Sequence, residues 1–183
     1  MLHKFYFITD RKKFKKPFID TIKDVLDKGV RLIQIREKDL LDIELFKLTE
    51  DVLKICEGYD VKVIINSRLD IALLLNLDGV HLPEKGLPID HIKKKFPHLI
   101  VGKSCHSLEC GLKAWGDGAN YIFISPIFPV ENKAPPIGLE KLKEIVDKLP
   151  IPVYALGGIN KRNVNLVLDT GVYGIASIRY FLD

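Results

Sequence analysis

The chain has 183 residues, 47% of them hydrophobic, and 28 Lys+Arg against 24 Asp+Glu give a formal charge of +4. This composition excludes collagen, coiled coil and disorder, and no apolar run approaches the roughly 18–20 residues of a membrane helix. The three cysteines, Cys56, Cys105 and Cys110, are odd in number and have no metal spacing, so a reducing, cytoplasmic setting without a signal peptide is expected.

Short apolar, β-rich runs alternate with amphipathic ones from end to end. In chain order the pattern predicts a strand over 5–9, helix 18–28, strand 32–36, helix 42–57, strand 61–66, helix 68–75 and strand 79–82. Helix 89–96, strand 100–104, helix 107–117, strand 121–125, helix 138–149, strand 153–157, helix 161–170 and strand 174–178 follow. In the second helix Ile43, Phe46, Leu48, Val52, Leu53 and Cys56 recur at helical spacing. Ser107 and Asn160 read as N-caps, and Gly29, Gly58, Gly79, Gly118 and Gly171 as helix ends. Strict alternation requires a parallel sheet, because each parallel crossover needs a helix. Eight strands suggest closure into a single (βα)8 TIM barrel domain over 1–183. The doubly wound rival would carry a glycine-rich first turn, whereas this turn is Thr9-Asp10-Arg11. Eight units in this length leave about 23 residues each, compact for the fold. The chain ends at Tyr180-Phe181-Leu182-Asp183, where helix eight should begin. A truncated or missing eighth helix is therefore expected, with an apolar flank on strands one and eight for this tail and a second subunit to cover.

In such a barrel chemistry sits at the C-terminal strand ends. Alternation along strand two sends Ile33 and Ile35 outward and Gln34, Arg36 and Lys38 into the mouth. Such a trio is costly inside unless it is paired with a neighbouring strand or meets an anion. After strand seven, Gly157-Gly158 can present backbone N–H groups to an anion, and Arg179 past strand eight can add charge or start a surface helix. The proline-rich loop 125–138 resembles a lid, with Lys133 near its tip. His91 and His98 read as surface residues, while His81 and His106 could face the mouth or be structural. No histidine, cysteine or carboxylate spacing indicates a metal site. The basic run Arg11-Lys12-Lys13-Phe14-Lys15-Lys16 reads as a solvated loop or as a rim that steers phosphorylated ligands.

The segments Tyr6-Phe7-Ile8-Thr9-Asp10, Gln34-Ile35-Arg36-Glu37-Lys38, Asp70-Ile71-Ala72-Leu73 and Asp78-Gly79-Val80-His81-Leu82 resemble the thiamine-phosphate synthase/TenI superfamily. So do Ser125-Pro126-Ile127-Phe128-Pro129, Ala134-Pro135-Pro136-Ile137-Gly138-Leu139-Glu140 and Gly157-Gly158-Ile159-Asn160, in the same order. The resemblance implies a (βα)8 barrel in thiamine biosynthesis. The synthases join hydroxymethylpyrimidine pyrophosphate to thiazole phosphate and release pyrophosphate. It implies that Gln34, Arg36 and Lys38 hold the pyrimidine pyrophosphate, with Asn66, Ser104 and Lys133 adding contacts. Gly157, Gly158, Ile178 and Arg179 would cradle the thiazole phosphate. The family's two magnesium carboxylates are replaced here by Ser67 and Gly86, with Glu84 out of register. No metal ligand is therefore assigned, and Mg²⁺ is implied only for a synthase.

The middle of the chain, Phe96-Pro97-His98-Leu99 and Gly102-Lys103-Ser104-Cys105-His106-Ser107-Leu108-Glu109, is more similar to the TenI branch. That branch includes a metal-free thiazole tautomerase, whose histidine after strand six is Pro126 here. The leading expectation is a TenI-like proton transfer with His106, Lys133 and Arg36 as catalytic residues. A synthase and a non-catalytic thiazole-phosphate binder are the alternatives. The partners expected are phosphorylated small molecules and further copies of the chain, with neither nucleic acid nor membrane.

Overall fold

A computed structural model describes residues 1–182. The strands are β1 (Phe5–Ile8), β2 (Leu32–Ile35), β3 (Lys62–Asn66), β4 (Gly79–Leu82), β5 (Ile100–Cys105), β6 (Tyr121–Ile124), β7 (Val153–Leu156) and β8 (Gly174–Ser177). All eight are parallel and close into a barrel in sequence order, with β1 paired to β8. The helices are α1 (Phe18–Asp27), α2 (Asp42–Cys56), α3 (Leu69–Leu74), α4 (Ile89–Lys95), α5 (Leu108–Gly116), α6 (Leu139–Lys148) and α7 (Val164–Leu168). The expected (βα)8 TIM barrel is thus formed, and no eighth helix follows β8 among the described residues.

Alternation along the strands makes two kinds of core. Outward residues such as Phe7, Ile33, Ile35, Val63 and Ile65 pack under α1, α2 and α3. A second outer cluster joins Val80, Val101, Ile122, Ile124, Val153 and Ile175 to the remaining helices. Inward residues Tyr6, Ile8, Leu32, Ile64, Tyr121, Phe123, Tyr154 and Ala176 fill the barrel itself. The rings of Tyr6, Tyr121, Phe123 and Tyr154 meet edge-on or tilted at centroid separations of 5.0–6.0 Å, a favourable aromatic geometry. Room for Tyr121 comes from Gly102, its register partner on β5. A Cβ at Gly102 would lie 2.0 Å from the Tyr121 ring.

Several local expectations change. Gly79 does not end a helix. It opens β4, where a Cβ would lie 2.1 Å from the Ile100 carbonyl oxygen. Ser107 caps α5 as expected, its hydroxyl accepting from the Cys110 N–H. Asn160 does not cap a helix at Lys161. It caps the turn before α7, accepting from the Arg162 N–H, and α7 begins only at Val164. On α2 the buried stripe is Leu45, Thr49, Val52 and Cys56, and Ile43 is exposed because the first turn projects past the barrel end. The flank of β1 and β8 is covered largely by the chain's own tail. Phe181 is buried and stacks edge-on with Phe5 and Phe7, and Phe7 is fully buried.

A cationic site at the C-terminal end of the barrel

The inward face of the strands turns from aromatic to polar toward their C-terminal ends, where Gln34, Asn66, His81 and Ser104 follow the apolar layer. Gln34 is fully buried, and its Nε2 is the one buried side-chain polar atom without a hydrogen-bond partner among the described residues. Such a donor is expensive without an acceptor, and the Tyr6 hydroxyl is its neighbour within the barrel. Asn66 Nδ2 donates to Ser67 Oγ at 3.1 Å.

Arg36 follows Gln34 by two residues and is half-buried, its backbone N–H held by Thr9 Oγ1 at 2.9 Å. Lys38 and Lys133 approach from two different loops. The Lys38 ammonium is held below its usual range first by the Arg36 charge, then by partial burial and by Lys133. Lys38 therefore lies within electrostatic reach of both Arg36 and Lys133. Among the described residues, none of them has a carboxylate within 4 Å. Mutual repulsion of this kind is relieved by an anion.

His81 is buried and links Ser104 to the aromatic layer. Its Nε2 is 2.9 Å from Ser104 Oγ, its Nδ1 is 3.2 Å from Tyr121 OH, and Tyr121 OH is 2.7 Å from Tyr6 OH. Phe123 stacks on its ring at 4.1 Å. Burial, with a smaller contribution from Arg36, lowers its pKa to about 3. A ring that stays neutral and fully hydrogen-bonded is a positioning group, so His81 is excluded as the base that its sequence position allowed. His106 is exposed on the rim, with Nδ1 2.5 Å from the Ser125 carbonyl oxygen, to which it donates. Sequence reasoning missed the Tyr6–Tyr121–His81–Ser104 chain. It depends on the register of β4, β5 and β6 and on Tyr6 reaching Tyr121 across the barrel interior, neither of which spacing along one strand reveals.

The loop after β6 is pinned at its neck. Ile137 N–H donates to the Pro126 carbonyl and Gly138 N–H to the Ile127 carbonyl, at 2.8 and 3.2 Å. The neck rests on Gly157 and Gly158, whose φ values are +102° and +71°. A Cβ at Gly158 would lie 2.6 Å from Phe128 Cβ and 3.2 Å from the Pro129 carbonyl oxygen. The glycine pair is therefore required to seat the loop bearing Lys133, besides any role in holding an anion. Gly158→Ala should lower stability by about 1–2 kcal/mol, read by urea denaturation. An unchanged midpoint would show that the loop seats elsewhere.

The basic run is only partly a charged rim. Arg11 pairs with Glu37 and Asp39, Lys12 with Asp39, and Lys16 with Asp24. Lys13, Lys15, Lys16 and Lys28, together with the exposed Arg179, line a cavity of about 480 Å³ beside α1. These cations line a cavity formed by the loop after β1, α1 and the segment after β8. Ile178 packs on the interior cluster. No group of three or more potential metal ligands exists among the described residues. The positions that would hold Mg²⁺ carry Ser67 and Gly86, and the Glu84 carboxylate is turned toward Cys110. This donor set does not fit a resident Mg²⁺, which needs carboxylate oxygens. No helix among the described residues is long and apolar enough to cross a membrane.

Fold and site together define a (βα)8 barrel with a cationic C-terminal mouth suited to phosphorylated small molecules. The profile of the thiamine monophosphate synthase family matches residues 5–181, and the chain belongs to that family, whose place is thiamine biosynthesis. It is 47% identical over 184 residues to "Putative thiamine-phosphate synthase 2" of Aquifex aeolicus, covering 100% of this chain and 99% of that one. It is 40% identical over 177 residues to the thiamine-phosphate synthase of Pyrococcus furiosus, covering 96% and 84%. A solved thiamine phosphate pyrophosphorylase from Pyrococcus furiosus superposes with a TM-score of 0.88 at 40% identity, covering 96% and 85%. These relatives carry the synthase name. The expected leaning toward the TenI branch, drawn from the middle of the chain, gains no support from them.

Proposed function

We propose that the protein is a thiamine-phosphate synthase. In this reaction the carbon–oxygen bond of hydroxymethylpyrimidine pyrophosphate breaks, pyrophosphate leaves with the bonding pair, and the thiazole nitrogen forms the new carbon–nitrogen bond. The observation that supports the reading is that Lys38 lies within electrostatic reach of Arg36 and Lys133, while none of the three has a carboxylate within 4 Å among the described residues. Charge develops on the leaving pyrophosphate, and cations already in place stabilise it most. A single proton transfer on a thiazole would leave most of that charge without a task.

Each group then has a role. Arg36 provides the fork for the pyrophosphate, with Lys38 and Lys133 as point charges from the two loops. Gln34 Nε2 and Asn66 meet polar atoms of the pyrimidine unit, and Ser104 is aimed by His81. Gly157, Gly158 and Ile178 form the wall assigned to the thiazole phosphate, with Arg179 as a distant positive charge. His106 has no part in this chemistry.

The deciding experiment mixes purified protein with both half-substrates and follows thiamine phosphate and pyrophosphate together. Equimolar formation of the two supports the reading, and binding of the thiazole phosphate without turnover would replace it with a non-catalytic role. A second measurement tests the donor set. Pyrophosphate near 100 times its Kd should stabilise the apoprotein by about 2.7 kcal/mol, while millimolar Mg²⁺ alone leaves the melting temperature unchanged. An equal shift with Mg²⁺ alone would show that Ser67 and Gly86 do not abolish metal binding.

A further inference from the structure

Cys105 ends β5 on the face turned toward the helices and is fully buried. Cys110 lies in the first turn of α5 and is half-buried. The capped turn through His106 and Ser107 reverses the chain and brings the two together. Cys110 Sγ lies 3.9 Å from the carbonyl oxygen of Ser104, the residue that adjoins Cys105, and each thiol shifts the titration of the other. Nothing in the proposed reaction uses either sulfur.

We propose that Cys105 and Cys110 form a dithiol modification site that reacts with small-molecule disulfides and closes into an intramolecular disulfide. Cys110 attacks first. Its thiolate takes one sulfur of the reagent disulfide, and the other sulfur leaves and is protonated to a free thiol. The Cys105 thiolate then attacks Cys110 Sγ and expels the second reagent sulfur as a thiol. The two cysteines lose two hydrogens and two electrons, and the reagent disulfide gains them.

The order of attack follows from the surroundings. Cys110 is the more accessible sulfur and sits at a helix N-terminus, where a thiolate is favoured. The neighbouring Cys105 thiol holds the Cys110 thiol below its usual range, and Lys103 assists, against burial and Glu84. Cys105 is pushed upward by its Cys110 neighbour and by burial, so it waits for the mixed disulfide. Cys56 is buried elsewhere, and burial raises its thiol to about 11. Closure would remove the Cys110 S–H from the Ser104 carbonyl, between the two residues that carry Ser104 Oγ and the His106 ring to the mouth.

The test exposes the folded protein to oxidised glutathione, alkylates the remaining thiols and maps the peptides by mass spectrometry. Two of the three thiols should be lost, with one Cys105–Cys110 crosslink that dithiothreitol reverses. Cys105→Ser should instead retain glutathione on Cys110, and Cys110→Ser should take up none. Three intact thiols in the wild type, a persistent adduct at Cys110, or reaction at Cys56 would each overturn the proposal. If Cys105→Ser fails to fold, the wild-type peptide map alone decides.

Discussion

Arg36→Ala should lower kcat/KM for thiamine phosphate formation by about 1,000-fold, the scale of losing one preorganised charge donor at a developing anion. The Arg36 backbone is fixed, since Thr9 Oγ1 accepts from its N–H and the buried Gln34 lies two residues before it. Its charge reaches both Lys38 and His81. The fold should not suffer. Removing one of three mutually repelling cations leaves the melting temperature unchanged or slightly raised. Arg36→Lys restores charge without the planar fork and should recover only part of the loss. Steady-state kinetics on both variants, with thermal melts alongside, gives the answer. A loss under tenfold in Arg36→Ala would remove the pyrophosphate assignment.

Acid should destabilise the protein through His81. The folded value is about 3, and an unfolded histidine titrates near 6.5. Between these values the unfolded chain binds the extra proton, so stability rises with pH there and falls as the solution is acidified. The contribution is fully present above about pH 6.5 and declines by up to about 1.4 kcal/mol per pH unit below it. From pH 7 to pH 5 the loss is about 2 kcal/mol, before most carboxylates titrate. Urea denaturation at the two pH values measures it. His81→Phe keeps the ring stack on Phe123 and removes the proton site, so its dependence should be flatter. An identical slope in this variant would place the acid sensitivity elsewhere.

The order of eight strands and seven helices was legible because burial imposes a period of two on strands and 3.6 on helices. The inward Gln34 of β2 was legible for the same reason, whereas Arg36 and Lys38 lie past the end of that strand, and Lys38 is exposed in the following turn. What could not be read was anything that depends on neighbours across the barrel. His81 could be read as facing the mouth or as structural. Its partners, Tyr121 on β6 and Ser104 on β5, appear only once the register of the strands is known. The basic run after β1 looked like a rim, but Glu37, Asp39 and Asp24 turn part of it aside. The glycines after β7 read as an anion cradle, and their second duty beneath Phe128 appears only when two loops are packed together. Gly79 read as a helix end because sequence contains no sign of the Ile100 backbone beside it.

The Gly102–Tyr121 contact couples two positions that sequence treats as independent. With 2.0 Å between a hypothetical methyl and the ring, even alanine at 102 needs a smaller side chain at 121 before it fits. Yet Tyr121 also holds one end of the hydrogen-bond chain through His81. Neither site can therefore change first without damage to the packing or to that chain. A size exchange across the two strands would fill the same volume and still remove the hydroxyl that meets His81 Nδ1. Packing and chemistry have thereby become one inherited unit.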